Sequence, residues 1–147
     1  MKFLLQENPI DPVQTRNIYP DSGHGALVSF EGIVRSDQIK GRQVSALLYI
    51  ADAPACLLEG EKILKEARNL FPITEAVCIQ RTGKLNAGET AVWIGVWAGH
   101  RDEAFKGCRH IIEEIKKRLP IWKKEFYADG TSGWVRAKEL PPTPSLY

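Results

Sequence analysis

The chain has 147 residues, of which 44% are hydrophobic and 26% are charged, and its formal net charge is +2. This composition excludes a disordered chain and a protein that is basic throughout, and the length predicts one globular domain with a sizeable core. The apolar run after Met1 is too short for a signal peptide or a membrane span, so we expect a soluble cytoplasmic protein without a membrane partner.

The first predicted elements are a strand over residues 2–6 and a short helix capped by Asp11. Residues 26–35 alternate between apolar and polar, which predicts a half-buried strand. Gly32 within this strand predicts a bulge or a close approach of another backbone. Residues 36–42 are predicted to form a polar loop.

A second alternating strand is predicted over residues 43–50, followed by a helix from the cap Asp52 to Phe71, which Pro72 ends. A strand over 73–83 follows it. Residues 84–89 are predicted to form a turn, and residues 90–99 a strong central strand.

The last long helix is predicted over residues 100–119 and ends at Pro120. Strands are then predicted over 121–127 and 134–137, with a turn between them. Hairpin-like strand pairs combined with two long helices predict an α+β fold with a largely antiparallel sheet. We expect one domain over residues 1–138 and a Pro-rich tail over 139–147.

Basic residues are concentrated near the end of the last helix, where only Glu113 and Glu114 oppose them. The basic residues there are Lys106, Arg109, Lys116, Lys117, Arg118, Lys123 and Lys124. Such a patch is suited to an anionic ligand or an acidic partner tail.

Arg101 falls within the apolar stripe of this helix, about 60° from Ala104 on a helical wheel. An arginine among core-facing residues must either pair with a buried carboxylate or meet a ligand. Free backbone N–H groups in the first helical turn favour an anion, which supports the second alternative.

Lys116 and Lys123 lie on either side of Pro120, and a sharp turn there would fold Lys123 back beside the last helical turn. Two neighbouring ammonium groups lower the pKa of a lysine, which yields a base or a nucleophile. The alternative is that the lysines Lys117, Lys123 and Lys124 are simply solvated. Trp122 is predicted to pack in the core, with a stacking platform as the alternative.

Metal and nucleotide motifs are missing from the sequence. The three histidines form no HxH or HExxH set, so no metal site is predicted. Neither a GxGxxG motif, a P-loop nor a GxSxG elbow is present. The cysteines at 56, 78 and 108 form no CxxC pair, which predicts reduced, buried thiols.

Several segments together resemble the MoaE family, the catalytic subunits of molybdopterin synthase. They occur in family order and run from Gly25 to Val135: GALVSFEGIVR, VSALLYI, RTGKLNAGE, VWAGHRDEAFKGCRHIIEEIKKRLPIWKKE and DGTSGWV. The resemblance implies an α/β hammerhead fold and a homodimer that binds a small ubiquitin-like sulfur carrier (MoaD-like) at each end, which makes a heterotetramer.

The resemblance also implies the reaction. The carrier's C-terminal Gly-Gly thiocarboxylate would enter a basic pocket and supply two sulfurs to cyclic pyranopterin monophosphate, which becomes the dithiolene of molybdopterin. No metal or organic cofactor is implied. Lys116 and Lys123 align with the family's catalytic lysines. The aligned substrate-binding residues are Arg35, His100, Arg101, Glu125 and Arg81.

Two positions depart from the family pattern. Gln80 stands where the family usually has histidine, and Ile50 where it commonly has glutamate. These departures leave open an alternative function, a non-catalytic binding module for a ubiquitin-like sulfur-carrier tail. A nucleic-acid binder that uses Trp122 and Phe126 is opposed by the small net charge of +2, so no nucleic-acid partner is expected.

Overall fold

A computed structural model describes residues 1–20 and 22–135 of the chain. The predicted tail over 139–147 and the second half of the strand predicted over 134–137 lie outside the described residues. The architecture is α+β, with two β-sheets that are antiparallel in all but one strand pair. The predicted fold class is therefore confirmed.

Three helices lie within the described residues: α1 (Pro12–Arg16), α2 (Ala53–Leu70) and α3 (Arg101–Arg118). The side chains of Asp11 and Asp52 accept hydrogen bonds from backbone N–H groups in the first turns of α1 and α2, which confirms both predicted caps. None of these helices is long and apolar enough to cross a membrane.

The first sheet is built from strands that the sequence pattern predicted. In spatial order it contains β1 (Lys2–Gln6), β5 (Ile73–Arg81), β7 (Thr90–Ala98) and β2 (Ala26–Ile33). Strands β1 and β5 run parallel, and the other pairs are antiparallel. The register of β2 against β7 shifts after Gly32, where an added Cβ would lie 2.7 Å from Val92. The predicted bulge at Gly32 is thus confirmed, whereas the close neighbour is the side chain of Val92 and not another backbone.

The second sheet includes two short strands that the sequence analysis missed. Its members are β3 (Gln38–Ile39), β4 (Arg42–Ala51), β6 (Gly83–Asn86), β8 (Ile121–Tyr127) and β9 (Ser132–Trp134). Strand β3 lies in the predicted loop, because Lys40 and Gly41 adopt positive φ angles of 50° and 78° and close a two-residue hairpin. Strand β6 lies in the predicted turn and pairs with β4.

The main core lies between the first sheet and the two long helices. Ile63 and Leu64 of α2 and Ile111 of α3 are buried against Ile94 and other side chains of the sheet. All three cysteines are buried and none forms a disulfide, as predicted. Burial raises the pKa of the Cys78 thiol and that of the Cys108 thiol, the latter to about 11, so these two thiols remain protonated at neutral pH.

Arg118 ties the last turn of α3 to α2. Its guanidinium donates to Glu59 at 2.8 Å, to both oxygens of Glu66 at 2.5 and 3.0 Å, and to Glu114 at 3.3 Å. The hydrogen bond from Arg118 holds the pKa of the Glu66 carboxyl below its ordinary value of 4.5. The cluster therefore fixes the turn of α3 that also carries Lys116.

We expect the substitution Arg118→Met to lower the free energy of unfolding by about 1–3 kcal/mol, because it leaves carboxylates on two helices without their cation. Glu66 has a lowered pKa in the folded state, so its contribution is present above pH 4.5 and is lost as the pH falls through the folded value. The deficit of the variant should therefore shrink in acid. Urea unfolding at pH 7 and at pH 3.5 measures both effects.

Arg109→Met is the matched control, because Arg109 is exposed on the same helix and, in the part of the chain that the structure describes, forms an ion pair only with Glu113, one turn away, at 3.2 Å. This control should change the free energy of unfolding by no more than about 0.5 kcal/mol. Equal losses in the two variants would contradict a special role for the Arg118 cluster.

Candidate functional site

A change of chain direction at Pro120 brings the two predicted lysines together. Lys116 lies in the last turn of α3, which ends at the buried Leu119. The backbone oxygen of Pro120 accepts a hydrogen bond from the Asp52 N–H at 3.1 Å, which holds the turn against the start of α2. Strand β8 then carries Lys123 back, opposite Tyr49 of β4.

Lys116 and Lys123 line the same inner cavity, which has a volume of about 230 Å³. The remaining lining residues are neutral: Tyr49, Gln80, Val92, Ile112, Ile115, Leu119, Ile121, Trp122 and Val135. Among the described residues, the two lysines are thus the only charged groups of this cavity. An apolar cavity with two ammonium groups is suited to bind an anion, because the low local dielectric strengthens the attraction.

An outer cavity of about 480 Å³ continues from the inner one and shares both lysines with it. We call the two cavities together the cleft. Arg35 and Glu125 line the outer part together with Asp37 and Glu31. Arg35 is exposed and forms an ion pair with Asp37 at 2.7 Å, and Glu125 accepts a hydrogen bond from the Tyr127 hydroxyl at 3.1 Å.

Four of the predicted site residues therefore share one cleft: Lys116, Lys123, Arg35 and Glu125. The sequence could predict that the two lysines lie close together, because the helix ends at Pro120 and β8 must turn back beside it. Arg35 comes to the cleft because the segment after β2 passes beside β4.

His100 and Arg101 lie at the opposite end of α3 from Lys116, about 22 Å away at 1.5 Å per residue. The prediction that Arg101 faces the core is wrong, because its side chain is exposed. The buried stripe of α3 begins only at Ala104, and Phe105, also predicted to lie in the stripe, is 61% exposed. Within the described residues Arg101 forms no ion pair, so the first alternative offered for it, a pairing with a buried carboxylate, is not observed.

Arg81 also lies outside the lining of the cleft. Its buried guanidinium donates to the backbone oxygen of Glu7 at 2.8 and 3.2 Å and to Glu89 at 3.0 Å. Arg81 thus joins the end of β1 to the turn before β7. This arrangement indicates that Arg81 has a structural role within one chain.

Three residues of the cleft were not predicted as site residues. Trp122 is half-buried and lines the inner cavity instead of lying wholly in the core. Tyr49 and Gln80 line both parts of the cleft. The departure at Gln80 from the family pattern was the one signal in the sequence that pointed to it. Within residues 1–20 and 22–135, no cluster of three or more His, Cys, Asp or Glu side chains could hold a metal ion.

Comparisons with known proteins identify the family of the chain. The chain matches the MoaE protein family over residues 5–118. It is 44% identical to the molybdopterin synthase catalytic subunit of Synechococcus elongatus over 116 residues, which cover 78% of this chain and 70% of the relative. It is 41% identical to that of Pyrococcus abyssi over 121 residues, which cover 82% and 80% of the two chains.

The fold is also similar to a solved structure. The molybdopterin synthase of Staphylococcus aureus superposes with a TM-score of 0.84 at 35% identity, and the match covers 92% of this chain and 98% of that chain. The match to the family spans most of the described residues and includes α2, α3 and Lys116. The chain belongs to the MoaE family.

Proposed function

We propose that the cleft is the site at which this chain, the catalytic subunit of a molybdopterin synthase, transfers sulfur. The donor in this proposal is the C-terminal thiocarboxylate of a small ubiquitin-like carrier, and the acceptor is cyclic pyranopterin monophosphate. Each transfer puts a sulfur on the pyranopterin in place of an oxygen and returns the carrier with a carboxylate. Relatives at 44% and 41% identity are named molybdopterin synthase catalytic subunits, which supports the activity.

The observation that carries the proposal is the pair of lysines in a cavity whose other described lining residues are neutral. Lys116 comes from α3 and Lys123 from β8, so two separate elements supply the positive charge. A thiocarboxylate and a phosphate are both anions, and two fixed ammonium groups can orient them and stabilise the charge that develops during sulfur transfer. A lysine beside the reacting atoms can also exchange a proton with the departing oxygen.

Arg35 and Glu125 act in the outer part of the cleft in this proposal. The Arg35 side chain is 83% exposed and Asp37 is its one ion-pair partner among the described residues, so an arriving phosphate can take over its guanidinium as a bidentate partner. Glu125 lies on β8, two residues after Lys123, and lines the same outer cavity. It is placed to accept a hydrogen bond from substrate at the entrance.

His100 and Arg101 serve the cleft of a second copy of the chain in this proposal. The length of α3 keeps them about 22 Å from Lys116 of their own chain, beyond the reach of an arginine side chain. Both are exposed, and Phe30, Ile33 and Phe105 add exposed apolar surface that a second copy could cover. A homodimer in which each cleft contains residues from both chains would account for the distance of these two residues from Lys116 and for their exposure.

The carrier subunit is the other proposed partner. Its flexible C-terminal tail would enter through the outer cavity and present its thiocarboxylate to Lys116 and Lys123. The relatives carry the name catalytic subunit, which supports an assembly with a second kind of subunit. The proposed compartment is the cytoplasm, in keeping with three buried cysteines that form no disulfide.

We expect Lys116→Ala and Lys123→Ala each to reduce molybdopterin formation at least about 100-fold, because each removes a charge that contacts the reacting anion. The assay mixes the full chain with thiocarboxylated carrier and cyclic pyranopterin and measures the dithiolene product. Lys117→Ala and Lys124→Ala are the matched controls. Neither control residue lines the cavities, and each should retain activity within about twofold.

Normal turnover by either cleft variant would contradict the role assigned to that lysine. Full-strength carrier binding by the unaltered protein with no product would instead support the alternative of a non-catalytic module for the carrier tail. Circular dichroism of each variant separates loss of chemistry from loss of fold.

A mixture of Lys116→Ala and Arg101→Ala chains tests the shared site. If Arg101 acts on the second copy, each mixed dimer has one intact cleft, and random mixing of the chains restores about one quarter of wild-type activity. If Arg101 acts within its own chain, every cleft carries one defect and the mixture stays inactive.

The two chains should be unfolded and refolded together, so that copies exchange, and compared with the same proteins mixed without refolding. Recovery that appears only after refolding is the expected result. A mixture that stays inactive after refolding would contradict completion of the site from both chains.

A further inference from the structure

Two uncharged polar side chains, Gln80 and Tyr49, line both the inner and the outer cavity, as Lys116 and Lys123 do. Gln80 is 7% exposed and lies on β5, opposite Val92 of β7. Polar groups inside a protein are normally paired, so a polar atom that lines a cavity and has no partner within the described residues is suited to bind a ligand.

The hydrogen bonds of Gln80 fix the direction of its amide group. Its Nε2 donates to the backbone oxygens of Arg81 at 2.9 Å and of Ala91 at 3.2 Å, which uses both amide hydrogens. The reversed orientation would place the amide oxygen against two carbonyl oxygens. The Oε1 atom therefore faces away from the strands, and within the described residues it accepts no hydrogen bond.

Tyr49 supplies the complementary group. It lies on β4 opposite Lys123, and burial raises the pKa of its phenol to about 12, so the hydroxyl keeps its proton at neutral pH. Neither a hydrogen bond nor an ion pair reaches this hydroxyl from the described residues. The wall of the cleft thus offers one fixed acceptor and one protonated hydroxyl, both neutral.

We infer that Gln80 and Tyr49 determine specificity by binding the uncharged edge of a flat heterocycle, one that carries adjacent N–H and C=O groups, while the lysines meet the anionic groups. The inference rests on the proposed function, because it assigns these residues to the acceptor substrate of the same cleft. The surrounding side chains of Ile112, Ile121 and Trp122 would bury the faces of the ring.

The walls favour a heterocycle over the carrier tail. A peptide tail also offers N–H and C=O groups, but a Gly-Gly terminus has no apolar side chain to place against isoleucine and tryptophan. A ring buried there removes apolar surface from water and leaves its polar edge free for Gln80 and Tyr49.

Tyr49→Phe is the cleanest test, because it removes one hydroxyl and keeps the ring. We expect the dissociation constant of a phosphate-free pterin, 6-hydroxymethylpterin, to rise about fivefold by calorimetry, and more for Gln80→Met. In the turnover assay, the KM for cyclic pyranopterin should rise by the same factor. The KM for the carrier should be unchanged, and kcat should stay within about twofold.

Tyr19→Phe is the matched control, because Tyr19 packs edge-on against Trp97 with ring centroids 5.1 Å apart, outside both cavities. It should change none of these constants. Gln80→Met also leaves two backbone oxygens without a donor, so its thermal stability is measured alongside. If the Gln80→Met variant does not fold, the constants measured for Tyr49→Phe alone test the inference.

Unchanged pterin affinity and KM in Tyr49→Phe would overturn the inference, as would a rise in the KM for the carrier instead, or no binding of the pterin by the unaltered protein. The proposed function fails by a different result, which is the absence of product from the unaltered protein. Pterin binding remains measurable in that case, so the two failures are distinguishable.

Discussion

The end of α3 at Pro120 is the constraint on which the rest of the site depends. Leu119 is 1% exposed and anchors the helix end in the core, while the oxygen of Pro120 accepts a hydrogen bond from Asp52. The chain can then leave only along β4, as strand β8. That path fixes Lys116 and Lys123, seven residues apart in sequence, on one cavity.

The cleft lies where the first sheet and its long helices meet the second sheet. One lysine belongs to a helix packed on the first sheet, and the other to a strand of the second sheet. The Arg118 cluster holds the same helical turn against α2, so the position of Lys116 is set from two sides. A site built on a helix and a strand is more rigid than one built on loops, which suits chemistry that needs fixed charges.

The sequence predicted the parts of the site that follow from local chain geometry. The strands, the long helices and the lysine pair could be predicted because periodicity and Pro120 determine them. The exposure of Arg101 could not be predicted from the sequence. A helical wheel shows which residues lie on the same face of a helix, but it does not show at which residue the sheet begins to cover that face. Strand β6 was missed because its pairing with β4 joins segments that lie far apart in the sequence, and strand β3 was missed because the two-residue turn at Lys40 and Gly41 was not recognised within a polar segment.

The most direct test of the account is a crystal structure of this chain bound to its carrier subunit. The measured quantity is the distance from the carrier's terminal thiocarboxylate sulfur to the Nζ atoms of Lys116 and Lys123. The account predicts that both distances are within about 4 Å, the range of a direct ion pair. A carrier terminus that lies outside the cleft, away from both lysines, would contradict it.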